Sequence, residues 1–173
     1  GYAPGPWRRS ATVEQLGENT AADSVFQVDM QHKPLVVVRW PTHPSTAGYM
    51  DMLRRFGEGA GEGERYVVVI DMRSVAHQDI RESDRQALEA VLQEQEAFWS
   101  QHMLGEVRLV SSAVMRAQST VYDYEYPLPW PSQTVGTIDA AEQYAQEMLQ
   151  KSSKSGLQLP RPGWLSRLLD GPH

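Results

Sequence analysis

The sequence predicts an α/β domain: a mixed, mainly parallel sheet with helices, its elements in the order β-β-α-β-α-β-α-β-α. Two runs, "LVVVRW" (35–40) and "RYVVVIDM" (65–72), are continuously apolar and rich in β-branched residues. Such runs mark strands covered on both faces. The stretches between the strands carry apolar residues at helical spacing. Short strands alternating with helices imply parallel pairing through right-handed crossovers.

The elements follow in order. Residues 1–23 read as a flexible polar leader, broken by Pro4, Gly5, Pro6 and Gly17. "VFQVDM" (25–30) alternates as a first strand, and Lys33-Pro34 turns the chain into the second. Pro41 and Pro44 end that strand. Ser45 or Thr46 then caps a helix with Tyr49, Met52, Leu53 and Phe56 on one side. "GEGAGEGE" (57–64) is a linker. It lacks the GK[ST] ending of a phosphate loop, and its glutamates repel phosphate.

After the third strand, a single long helix is expected from Ile80 to His102. Its apolar stripe is Ala87, Leu88, Val91, Leu92, Phe98 and Trp99. "EVRLVSS" (106–112) is a fourth strand, and a short helix follows over 113–122. The prolines of "YPLPWP" (126–131) exclude a helix there. "QTVGTI" (133–138) is a fifth strand. The last long helix carries Ile138, Ala141, Tyr144, Ala145, Met148 and Leu149 on one face. Residues 24–150 thus form the domain, 151–162 a linker, and 163–173 a terminal segment.

Composition excludes several functions. The chain has 173 residues, a net charge of −6 and a pI near 5.3. Nucleic-acid binding through phosphates calls for a basic surface, so nucleic acid is not an expected partner. With no cysteine there is no disulfide or thiolate-ligated metal, which fits a cytoplasmic protein. No apolar run approaches the ~20 residues of a transmembrane helix.

Three groups of residues have the character of sites. The first is the end of the third strand, "VVVIDMRSVAHQD" (67–79), where Asp71 closes the strand and Asp79 is placed to cap the next helix. Asp71, His77 and Asp79 could position a general base, but no spacing identifies a nucleophile or a third metal ligand. The loop therefore reads as a presented surface carrying Ser74, His77, Asp79, Arg81 and Ser83. His32, His43 and His102 read as solvated surface. The second group is "YDYEYPLPWP" (122–131), whose Tyr124, Tyr126 and Trp130 are candidate interface anchors. The third is "GWLSRLLD" (163–170), with Trp164, Leu165, Leu168 and Leu169 on one helical face. It reads as a detached docking helix, or else as a lid folded back on its own domain.

The element order and the stretches "VVVIDMRSVAHQD", "VRLVSSAVMRAQ" (107–118) and "GTIDAAEQYAQEML" (136–149) resemble the STAS domain of anti-sigma-factor antagonists and sulphate transporters. The resemblance is greater still to the bacterial STAS-like group related to lipid-binding Sec14 domains, and it covers about residues 24–150. It implies a non-enzymatic regulatory or scaffolding module that binds a protein partner, with no cofactor and with self-association as a further expectation. The Sec14 relationship implies, as an alternative, a binding module for a lipid or small apolar ligand. An enzyme using Asp71, His77 and Asp79 is the weakest reading. The sequence departs from the family at one place: phospho-switched members follow the second Asp with serines, whereas Ile80, Arg81 and Glu82 follow Asp79 here. A serine switch at that position is therefore not expected.

Overall fold

The computed structural model describes residues 23–76, 80–152 and 161–171. Five strands form one sheet in spatial order β1-β2-β3-β4-β5. They are β1 Gln27–His32, β2 Leu35–Arg39, β3 Tyr66–Asp71, β4 Met103–Leu109 and β5 Ser132–Val135. β1 runs antiparallel to β2, and every later pairing is parallel. Among the described residues the helices are α1 Thr46–Gly59, α2 Glu82–Glu94, α3 Glu96–His102, α4 Ala113–Glu125, α5 Ile138–Ser152 and α6 Trp164–Asp170. The chain is thus α/β with a mostly parallel sheet, as expected.

The strand order determines the layering. Same-handed crossovers that step steadily in one direction leave their helices on one side of the sheet. Val36, Val38, Tyr66 and Val68 face that side. They pack against Tyr49, Met52, Leu53 and Phe56 of α1, Leu88 of α2 and Trp99 of α3. Alternate residues, Leu35, Val37, Val67, Val69, Val107, Leu109 and Val135, face the other side. There α5 contributes Ala141, Ala145 and Leu149. Both faces of β2 and β3 are covered, which is why their sequences show no polar alternation.

Local chemistry sets the helix ends. Ser45 caps α1, its Oγ accepting from the Gly48 N–H at 3.0 Å. Ser112 caps α4 in the same way through the Met115 N–H. Buried Trp99 donates its indole N–H to the Tyr49 hydroxyl at 2.7 Å, joining α3 to α1. Burial raises the pKa of that hydroxyl.

Several expectations need correction. The helix expected over 80–102 is two helices, divided at Gln95. The apolar stripe stays in phase across the break, so periodicity alone cannot reveal it. Ala87 is exposed, not part of the stripe. β4 begins at Met103 instead of 106, and β5 ends at Val135 instead of 138. The Gly/Glu stretch is partly helical, since α1 continues to Gly59. His102 is half-buried, not solvated: it stacks on Tyr66 and packs against Phe56 and Phe98.

The largest difference is at the C-terminus. The segment read as a docking helix for another chain is seated on its own domain. Trp164, Leu165 and Leu169 are buried with Leu35, Val37 and the α5 residues, and Leu168 packs against them. One helix is too narrow to cover this face of the sheet. α5 lies over β3, β4 and β5, which leaves Leu35 and Val37 of β2 for α6 to cover. Polar contacts fix α6 in place. The Glu142 carboxylate accepts from the Gly163 and Leu165 N–H groups at 3.0 and 2.8 Å. Arg39 donates to the Leu168 carbonyl at 2.8 Å.

Candidate functional site

Two regions merit description as candidate sites. The first is the rim where β2, β3 and β4 end. Asp71 is buried there, and Arg73 grips it. Oδ1 accepts from Arg73 Nε and from the Arg73 backbone N–H, at 2.9 and 3.1 Å, and Oδ2 accepts from Arg73 Nη2 at 2.9 Å. The carboxylate holds the Arg73 guanidinium above its ordinary pKa. Arg73 also reaches Asp170 of α6 at 3.2 Å, and Arg39 lies 4.0 Å from Asp71. Asp71 therefore anchors the loop, and Arg73 ties it to α6. Ala76 donates to the Thr42 carbonyl, which fastens this loop to the one after β2.

On this rim Ser74, Arg81 and Ser83 are exposed. His77 and Asp79 lie outside the described residues. The N-cap position of α2 is Arg81, which makes no side-chain cap bond and pairs with Asp84, so Asp79 does not occupy that position. Among the described residues no group of three His, Cys, Asp or Glu could hold a metal ion.

The second region is α4 and the strands beneath it. Met115 is its buried apolar residue. Its other inward positions are Ser119 and Asp123, with half-buried Tyr122 beside them. Ser119 and Asp123 point at Arg108 of β4, which donates to Ser119 Oγ at 2.6 Å, to both Asp123 oxygens at 2.5 and 2.6 Å, and to Ser132 Oγ at 2.7 Å. Ser119 also bonds Thr134 of β5. Glu106, one step along the same face of β4, is 5% exposed and accepts from the Trp130 indole at 2.6 Å. Burial raises its carboxyl pKa, against the pull of Arg108. Arg108 Nε lies 3.3 Å from Glu106 Oε2, yet the geometry makes no hydrogen bond, so the pair is a charge contact only.

The outward face of α4 is apolar. Val114 is 67% exposed, Val121 56% and Tyr124 87%, with exposed Ala117 completing the stripe at helical spacing. Tyr126, 45% exposed, packs at a tilt against Tyr122 just beyond. Apart from Met115 and half-buried Tyr122, the helix is thus inverted, with polar residues on the sheet and apolar residues in water. Of the aromatic anchors read from the sequence, Tyr124 and Tyr126 are on the surface. Trp130 is half-buried and committed to Glu106, so it is a structural group. Val114, Ala117 and Val121 were missed. Their i, i+3, i+7 spacing is visible in "VMRAQSTV", but so is that of any core-facing stripe. Only the placement of Arg108 shows which face turns outward.

A shallow groove of about 300 Å³ lies on the opposite side, lined by Leu104, Pro131, Tyr144 and Met148 with Glu147 and Lys151 at its edge. Under α1, the place where an apolar ligand pocket would support a lipid-binding reading, Met52 and Phe56 fill the space against Tyr66 and Trp99. Among the described residues no helix is long and apolar enough to cross a membrane.

Comparison of the chain with protein-family models, with curated proteins and with solved structures gives no match.

Proposed function

We propose that this chain is a non-enzymatic, STAS-like regulatory or scaffolding module that binds a protein partner, and that α4 is the docking face. The inversion of α4 carries this reading. Val114, Val121 and Tyr124 stand in water while Ser119 and Asp123 occupy the sheet side. Burying each large apolar side chain would contribute roughly 1.5–3 kcal/mol. A domain that needed this helix only as a cover would turn the stripe inward. Scattered apolar residues are normal on a surface, whereas a contiguous stripe marks an interaction site.

Exposed Ser74 lies in the loop after β3, and exposed Arg81 and Ser83 at the start of α2, whose Gln93 lies near Tyr122 of α4. They extend the same reading to the loop after β3. A lipid or apolar ligand finds less support, because the α1 side of the sheet is filled by its own aromatic residues.

Co-purification from the native host provides the test. Wild type is compared with Val121→Asp and with the control Gln143→Asp, which changes an exposed position on α5. The reading expects a discrete partner with wild type and with the control, depleted with Val121→Asp. Equal recovery with all three proteins would contradict it.

A further inference from the structure

We infer that the occupant of the α4 face is a basic amphipathic helix of another protein. This rests on the reading of α4 as a docking face and adds the chemistry of what docks there. The apolar stripe supplies half of the argument. The surrounding charge supplies the other half.

α2 with α3, and α4 alone, each lead from the C-terminal end of one parallel strand back toward the start of the next, so α2 and α4 leave the same rim of the sheet and run toward the other. Half-buried Tyr122 of α4 lies near Gln93 and Glu89 of α2. Neither has a base in its last turn. Instead α2 ends on exposed Glu94 and α4 on exposed Glu125. A helix C-terminus carries partial negative charge and favours cations, so a terminal glutamate works against it.

The wider sequence does not relieve this. From Gln86 to His102 there is no Lys or Arg, and from Ala117 to Gln150 there is none either. On α2, Arg81 and Arg85 are held by Asp84, Glu82 and Glu89 of the same helix. On α4, Arg116 sits toward the N-terminal end beside Gly136. The stripe thus runs from an end beside exposed Arg116 to a negative end at Tyr124 and Glu125. A partner helix with apolar residues on one face and Lys or Arg near one end matches both properties.

The charge bears on the other occupants as well. A second copy, paired antiparallel about a two-fold axis, would set its Arg116 end against Glu125, so self-association is decided by sedimentation. An anionic bilayer would be repelled.

Two fluorescent peptides of about 20 residues, long enough for a stable helix, provide the test. One is built of Leu and Lys at helical period, the other of Leu and Glu. Each is titrated with the whole chain and followed by anisotropy. The Lys peptide is expected to bind and the Glu peptide to fail. Affinity should fall about tenfold in Val121→Ser/Tyr124→Ser, as for loss of apolar anchors. It should fall also in Glu94→Gln/Glu125→Gln, and with salt raised from about 0.05 to 0.5 M.

Binding of the Lys peptide that ignores Val121→Ser/Tyr124→Ser would be charge adhesion alone and would overturn the inference. So would failure of both peptides. Equal binding of both peptides, lost in the apolar variant, would overturn the basic class while leaving α4 as a docking face. Sedimentation velocity of the whole chain separates the remaining case. A dimer abolished by Val121→Ser/Tyr124→Ser would make the occupant a second copy and overturn the inference.

Discussion

Leu165→Ala tests whether the C-terminal helix belongs to the domain. Leu165 is 0% exposed and lies in the cluster formed by Leu35, Val37, Val67 and the α5 residues. Truncating a buried leucine removes its transfer free energy and leaves a cavity, together about 2–5 kcal/mol. Neighbouring Trp164 and Leu169 are also buried, which limits how far the site can collapse, so about 3 kcal/mol is the working figure. For a chain of this size each kcal/mol lowers Tm by about 2–4 °C, giving a drop of roughly 6–12 °C. Were α6 a detached helix, the same change would sit in water and cost no more than about 0.5 kcal/mol. Urea unfolding followed by circular dichroism gives the free energy, and an unchanged slope shows that the unfolded state is comparable. Glu142→Gln offers a milder check, since an amide cannot accept from both the Gly163 and Leu165 N–H groups as well as the carboxylate does. It should cost about 1 kcal/mol. A Leu165→Ala protein within about 0.5 kcal/mol of wild type would refute the fold-back argument.

Other outcomes follow from the buried polar layer and the rim. Arg108→Met leaves Glu106 and Asp123 without their base and should destabilise by about 3–5 kcal/mol in urea unfolding; a change below about 1 kcal/mol would mean that the ion pairs are solvated. Burial raises the pKa of Glu106 above 4.5, so its contribution to stability is full below that value and is lost as pH rises through the folded pKa. Glu106→Gln should therefore gain on wild type as pH increases, and parallel stability–pH curves would contradict this. Mass spectrometry of the native protein should find no stoichiometric phosphate on Ser74 or Ser83, and phosphate there that alters partner affinity would restore a displaced switch.

The sheet was legible because its strands obey a simple rule. β2 and β3 are buried on both faces, and "LVVVR" and "YVVVID" show it without ambiguity. The α1 stripe was equally plain, since Tyr49, Met52, Leu53 and Phe56 fall on one side and all four are buried. What failed depended on distant partners. Periodicity reports that a helix has an apolar face but not where that face points, and α4 turns outward because Arg108 of β4 occupies the sheet side. A lone Arg in "VRLV" looks like an ordinary solvent-facing strand position, so the layer joining Glu106, Arg108 and Asp123 was invisible. The fate of "GWLSRLLD" depended on how much of the sheet α5 would leave bare, which no local reading of either segment contains. At the rim, Asp71 was read as the end of the third strand, which it is, and the clamp of Arg73 on Asp71 adds why the chain stays in place there.

The docking-face reading is tested most directly by photo-crosslinking in the native host. A benzophenone side chain is placed at Val121 and, in a separate protein, at Gln143 on the far side of the sheet. Both positions are exposed, so neither should disturb the fold. The account predicts a discrete crosslinked protein from position 121 and none of that species from position 143. Equal labelling from both positions, or a specific adduct from position 143 alone, would contradict it.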